Sequence, residues 1–314
     1  MRAEATDKEL EIRETEDTED GHIAQAYFSM LWGAFSFAAM GALSHLAGER
    51  CDWQIIAIAR TSVAFLLSLI IALASGVRLV LFKPRLLWMR SLVGSFGVLC
   101  AFYALTHLPV STAITLTNTF PVWVALLAWP ILGYRPTASV SVAIFTGIVG
   151  VILIQQPYWA GSKVAILAAL GNALSTAIAM IGLNRLSRVD ARAVVTHFSG
   201  VSTVCCLLYF FLTGASVDYG KLSEAGLVVM LVGVGLAGTF GQLGMTRAFA
   251  LGHPSKVAVV GLTQIVFGYL FDSIIWRHTP NVVTAAGVVL VAAPAAWLLL
   301  NSPIRRGASI HTSA

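Results

Sequence analysis

The 314-residue chain is 57% hydrophobic and 11% charged, against roughly 45–50% and about 25% in soluble domains. Its mean hydropathy is +0.81, which excludes a soluble globular protein because so few charges cannot wet a surface. The formal net charge of +5 reads as the Lys and Arg excess of cytoplasmic loops, with no nucleic-acid partner implied.

The chain opens with an acidic segment. Nine of its 15 acidic residues (Glu4, Asp7, Glu9, Glu11, Glu14, Glu16, Asp17, Glu19, Asp20) lie in the first 20. Residues 1–22 hold almost no apolar content and are expected to be a disordered cytoplasmic tail, not a secretory signal. Ten apolar runs follow, each near the 20 residues that a spanning helix needs. They cover 24–47, 54–76, 88–107, 110–133, 138–156, 163–183, 194–214, 226–246, 257–276 and 282–300. Short joints at Pro109 and at Tyr134-Arg135-Pro136 make neighbouring helices antiparallel. Residues 302–314 form a second cytoplasmic tail.

With the N-terminus inside, 15 of the 20 Lys and Arg residues fall on the cytoplasmic side. Four (Arg50, Lys163, Lys221, Arg277) fall outside, and Arg60 lies within span two. This split predicts both termini in the cytoplasm. Trp53, Trp88, Trp159 and Trp276 stand near span ends, as interfacial anchors would. The four cysteines imply no disulfide framework; Cys205 and Cys206 read as packing residues.

An internal repeat appears at an offset of 144 residues, where Gly94-Ser95-Phe96-Gly97 matches Gly238-Thr239-Phe240-Gly241. In the same register Ala104 meets Ala248, Ser111 meets Ser255, Thr119 meets Thr263, Val122 meets Val266 and Pro136 meets Pro280. Five crossings per half is an odd number, so the second half starts on the opposite side of the membrane. The predicted fold is therefore an all-α membrane protein of ten helices, in two inverted five-helix repeats over 23–157 and 158–301. In secondary transporters such halves rock about a solute site near the midplane.

The stretch Tyr103-Ala104-Leu105-Thr106-His107-Leu108-Pro109-Val110-Ser111, with Phe120-Pro121-Val122 and Leu132-Gly133-Tyr134-Arg135, resembles the first-repeat signature of EamA-type proteins. These belong to the drug/metabolite transporter superfamily. The resemblance spans residues 24–300 and implies an inner-membrane carrier of small organic solutes, often an exporter of amino acids or related metabolites. The family pattern usually has a Glu at the place of Tyr134, and often another at that of His278.

Ionisable groups inside a membrane are costly and demand a reason. Arg60 lies six residues into its span from the outer end, a depth of about 9 Å, and Asp272 about 6 Å deep in span nine. They are expected to pair or to share an aqueous vestibule. The alternative is that both reach the interface, Arg60 by snorkelling. Asp272 is the one carboxylate in any predicted span, and so the leading proton carrier or else a fixed counter-ion. His197 stands seven residues after Asp190, as Arg60 does after Trp53; it is a packing residue or a titrating one. His45 and His107 are placed at the interface.

Uncharged polar residues point to the solute. Ser111, Thr115 and Asn118 share one face of span four, with Thr119 beside it and Pro121 after it. Asn172 and Ser175 share a face of span six, and span nine offers Thr263 and Gln264. Each is a substrate-binding candidate, set against ordinary interhelical hydrogen bonding. Gly235, Gly238, Gly241 and Gly244 read as a close-packing stripe. Tyr103, Phe120, Trp123, Phe267 and Tyr269 could form an aromatic wall for a planar ring, set against an ordinary core or lipid-facing stripe.

No paired Asp, His at i, i+3 or i+4 spacing, or Walker-type loop supports an intramembrane enzyme or an ATP-driven pump, and no metal or cofactor is expected. The reading is a secondary transporter, monomer or homodimer, exporting a small amino-acid-like metabolite across a bacterial inner membrane. The alternative cargo is a planar vitamin or nucleoside-like solute such as riboflavin, taken up rather than exported.

Overall fold

A computed structural model of the chain describes residues 2–108, 110–157, 162–214, 224–275 and 281–300. Trp159, Trp276, His278, Pro109, Pro280 and the segment 302–314 lie outside these residues. Every regular element among the described residues is a helix. In chain order they are α1 (Arg2–Gly48), α2 (Trp53–Ala74), α3 (Arg85–His107), α4 (Val110–Thr117), α5 (Phe120–Leu132) and α6 (Ala138–Gln155). Then come α7 (Lys163–Arg185), α8 (Ala191–Thr213), α9 (Ala225–Leu251), α10 (Pro254–Gly261), α11 (Thr263–Ile275) and α12 (Val282–Leu300).

These helices make ten membrane spans, from Gly21–Gly48 to Val282–Leu300, with bounds close to those read from hydropathy. The protein is a multi-pass membrane protein. Its outer surface agrees: Phe28, Phe145, Phe211, Leu212 and Val282 are all at least 70% exposed, apolar area that water would penalise and lipid tails cover. The four cysteines are free thiols.

Two spans are broken, and they correspond across the repeat. The fourth crossing consists of α4 and α5, the ninth of α10 and α11. Adding the offset of 144 to Val110–Thr117 gives Pro254–Gly261, residue for residue. At each break a threonine turns back on its own helix: Thr119 Oγ1 donates to Leu116 O (2.7 Å) and Thr263 Oγ1 to Val260 O (2.7 Å). Asn118 Nδ2 also donates to Ile114 O (2.9 Å). Leu116 O and Ile114 O also accept the backbone N–H groups of Thr119 and Asn118, so the side chains add a second donor beside the break, in a medium without water to supply one. Pro121 falls in the first turn of α5, where its missing N–H costs no ladder bond.

Helix pairing repeats the same symmetry. The helix α1 packs along α9 as α7 packs along α3, while α2 pairs with α8 and α6 with α12. Close approach depends on small residues. A Cβ on Gly244 would stand 2.6 Å from Ser29 O, and one on Gly33 would stand 3.1 Å from Gly241 O. The glycine stripe of span eight is thus a packing surface for α1 and, through Gly235 against Val63, for α2.

The core is unequal on the two sides of the membrane. Call the side of the Gly21 end of the first span the near face. There a single apolar cluster joins both halves, through Tyr27, Met30, Leu87, Leu183, Phe249 and Val257 among others. Arg185 Nη2 of α7 donates to Ile131 O of α5, and the rings of Tyr134 and His253 meet edge-on at 4.8 Å. The far face instead holds separate clusters. One gathers Ala104, Leu108, Leu116 and Ala169, another Ala47, Ile56, Leu227 and Leu231. Apolar packing is thus one continuous cluster at the near face and several separate ones toward the far face, where Ala47 and Ile56 still meet Leu227 and Leu231 across the halves.

Candidate functional site

A cavity of about 150 Å³ lies between the halves, enclosed by α1, α2, α3, α7, α8 and α9. An engineered apolar cavity of this volume takes up one benzene ring, so the space suits a small solute. Its wall from α3 is Arg90, Gly94, Val98 and Ala101, the i, i+4, i+8, i+11 face of one helix. Asn172, Thr176, Ala179 and Met180 of α7 stand among the lining, with Phe37, Arg60, Phe198, Gln242 and Met245. Exposure rises toward the far face: Arg90 is 1% and Met180 3% exposed, whereas Val98, Ala101, Arg60 and Asn172 are half-buried.

Two arginines line this space, and no carboxylate stands among the described residues of the lining. Arg90 lies five residues into its span, about 8 Å from the near end. Its Cζ sits 3.8 Å from the centroid of the Phe198 ring, a cation–π contact that offsets part of the cost of burial. Its Nε and Nη1 are buried without a hydrogen-bond partner. Arg60 comes from the opposite end, seven residues below Trp53, a depth of about 10 Å.

Glycines make room for both. A Cβ on Gly94 would come within 2.8 Å of Phe198 Cε2 and 3.6 Å of Arg90 Nη1; a Cβ on Gly238 would come within 3.4 Å of Arg60 Cγ. These are the two glycines that head the matching tetrapeptides of the internal repeat. Asn172 Nδ2 is tied to Gly97 O at 2.7 Å, which orients its amide at the cavity wall.

The other sequence candidates lie elsewhere. Ser111, Thr115, Asn118, Thr119, Thr263 and Gln264 belong to the broken spans and do not line this cavity. Thr115 Oγ1 donates to Ser111 O (2.8 Å), so this polar face of α4 is largely self-satisfied. Ser175 is buried against Gly97, where a Cβ would approach its own at 3.1 Å. His197 is buried between α3 and α8, its Nδ1 2.8 Å from Ser91 Oγ and its ring edge-on to Trp88 at 4.8 Å. It stands behind the wall formed by Phe198.

Arg60 and Asp272 do not form the expected pair. Arg60 points into the cavity, Asp272 is exposed on α11, and no ion pair joins them. The physical reason is that α11 packs on α1 through Phe267 and Phe271 against Phe35, so another face carries Asp272. The suggested aromatic wall is likewise dispersed: Tyr103 stacks on His107 at 4.1 Å, and Tyr269 packs beside Leu262 and Val291. Trp53 is no simple interfacial anchor, since it stacks on Phe102 at 5.4 Å. Among the described residues no group of three His, Cys, Asp or Glu could hold a metal.

Arg90, Gln242 and Phe198 are cavity residues that sequence reasoning missed. Arg90 had been counted with the cytoplasmic cations. The signal that could have found it is the Arg-x₃-Gly-x₃-Val-x₂-Ala spacing, one polar residue heading a smooth helical face.

Residues 24–156 and 161–300 each match the EamA-like transporter family. The chain belongs to that family. Among EamA relatives, the Pseudopaline exporter CntI of Pseudomonas aeruginosa is 28% identical over 260 residues, covering 82% of this chain and 90% of that one. Human Solute carrier family 35 member G1 is 25% identical over 222 residues, covering 65% of this chain and 59% of its own. A solved crystal structure superimposes with a TM-score of 0.72 at 19% identity, over 87% of this chain and 96% of that chain. This last likeness concerns the fold. The duplicated EamA unit coincides with the two halves that enclose the cavity.

Proposed function

We propose that this EamA protein is a secondary transporter that exports a small amino-acid-like metabolite across a bacterial inner membrane by alternating access. The observation that carries the reading is the cavity between two pseudo-symmetric halves, accompanied by broken spans at matching positions in each half. Broken helices in corresponding places are the usual companions of a midplane solute site. With the near face cytoplasmic, as the Lys and Arg distribution indicates, the conformation is outward-facing. Its closed side rests on the shared core cluster and the Arg185–Ile131 contact.

Export is supported by the Pseudomonas aeruginosa relative, which is a Pseudopaline exporter. The volume of about 150 Å³ favours a small cargo over a three-ring vitamin, and of the two aromatic residues among the described lining, Phe37 and Phe198, the second already covers Arg90. Proton coupling, if it runs through Asp272, acts from a position outside the lining.

Metabolite profiling of cytosol and medium tests the reading, using cells that lack, carry or overproduce the protein. The expected result is one compound accumulating inside the deletion strain and in the medium of the overproducer. Unchanged partitioning together with a new or missing chemical species overturns it in favour of an enzyme.

A further inference from the structure

The carrier reading leaves the chemical class of the cargo open, and the two cavity arginines address it. Arg90 is the largest of the fully buried side chains among the described residues, at 1% exposure, yet Nε and Nη1 find no acceptor. Removing a guanidinium from water without an anion is strongly unfavourable, and helix α3 could have presented an apolar residue at this place at no such cost. The Phe198 ring at 3.8 Å covers one face of the group and leaves its edge, where the N–H donors lie, unoccupied.

Arg60 adds a second cation to the same space, and among the described residues no Asp or Glu of the lining neutralises either. The remaining wall offers the amides of Asn172 and Gln242 and the hydroxyl of Thr176 beside apolar surface (Phe37, Val98, Met180, Met245). A guanidinium is a planar fork that fits carboxylate oxygens two at a time. The apolar wall fits a carbon skeleton, which a bare inorganic ion lacks.

We propose that the cavity takes a small organic anion, its carboxylate held by Arg90 and Arg60 and its carbon skeleton laid against the apolar wall. This rests on the carrier reading and narrows it. A simple amino acid would have its carboxylate satisfied and its ammonium faced only by neutral groups, the amides of Asn172 and Gln242 and the hydroxyl of Thr176, so a solute of net negative charge is the better complement. Binding supplies the acceptors that Arg90 lacks and neutralises the space before the halves close over it.

The test uses the full-length protein in lipid nanodiscs, with thermal unfolding read against sodium benzoate at constant ionic strength. Benzamide and benzamidinium serve as neutral and cationic probes of the same size, and inorganic phosphate and chloride as carbon-free anions. The expected result is a Tm that rises with benzoate and stays level with the other four probes. Arg60→Gln and Arg90→Gln are expected to weaken benzoate binding by about tenfold or more each. Arg90→Met is expected to abolish the shift while leaving the Tm of the empty protein equal to or above that of the parent, because an unpaired buried charge is removed.

The proposal is overturned if benzamide or benzamidinium stabilises as well as benzoate does. It is equally overturned if phosphate alone stabilises, if no probe does, or if the benzoate shift survives in both Arg60→Gln and Arg90→Gln. The carrier reading is tested separately: a neutral or cationic compound moving between cytosol and medium keeps the carrier and refutes the anion, whereas unchanged partitioning with a new or missing chemical species refutes the carrier.

Discussion

Phe198 lies over the guanidinium of Arg90, its ring centroid 3.8 Å from Cζ, and Gly94 is the reason it fits. A Cβ at Gly94 would stand 2.8 Å from Phe198 Cε2. The ring is rigid and 8% exposed, so it cannot step aside without disturbing α8. Gly94→Ala is therefore expected to destabilise the protein by about 1–3 kcal/mol through overpacking. Phe198→Leu, which frees the space but removes the π face, should relieve most of that loss in the double variant. Thermal unfolding of the two single variants and the double one checks the coupling.

Closure of the near face depends in part on Arg185, whose guanidinium reaches the carbonyl of Ile131 at the end of α5. A cation at a helix C-terminus is favourable there. Arg185→Ala should cost the closed near face about 1 kcal/mol, roughly a fivefold change in the balance between outward- and inward-facing states. Distance measurements between spin labels on the near ends of α5 and α7 should then show a larger separated fraction than in the parent.

Much of this architecture is legible in the sequence. Hydropathy gives ten spans because a bilayer demands a fixed length of apolar helix, and the Gly94/Gly238 register gives the duplication. The site is less legible, because spacing tells which residues share a face but not what that face meets. Ser111, Thr115 and Asn118 do share one, yet Thr115 and Asn118 bond to the backbone of their own helix. Arg90 was hidden for the opposite reason: it stands close enough to a span end to pass for a loop cation, and only the packing of α7 and α8 turns it inward. The break in span nine carries no proline, so it becomes visible only beside α4 and α5.

Arg60 and Asp272 occupy comparable depths but different faces of the bundle, so they should behave independently. In a double-mutant cycle of Arg60→Ala and Asp272→Ala, the two effects on stability are expected to add to within about 0.5 kcal/mol. A coupling above about 1 kcal/mol would mean that the two charges meet in solution.

At the near end of α8 the Asp190 carboxylate accepts from Arg192 N at 2.8 Å and from Arg192 Nε at 3.0 Å. The side-chain bond with Arg192 is the main cause holding this carboxyl below its ordinary 3.8. A depressed folded-state pKa means that the cap contributes fully above pH 3.8 and is lost as pH falls below it. Asp190→Ala should cost about 1 kcal/mol at neutral pH, and the gap to the parent should shrink as the pH falls below 3.8. Asp190→Asn, which keeps the cap without the charge, should lack that acid sensitivity. Unfolding midpoints measured across the acid range check both.

The central claim is that the cavity between the halves is a path open to one side of the membrane at a time. A single cysteine placed by Ala101→Cys, in a variant whose four native cysteines are replaced, reports on it from the half-buried upper wall. In intact cells a membrane-impermeant thiol reagent should label it from the medium, and an excess of the transported compound should protect it. Labelling from the cytoplasmic side alone, in inverted vesicles, or equal labelling with and without that compound would contradict the account.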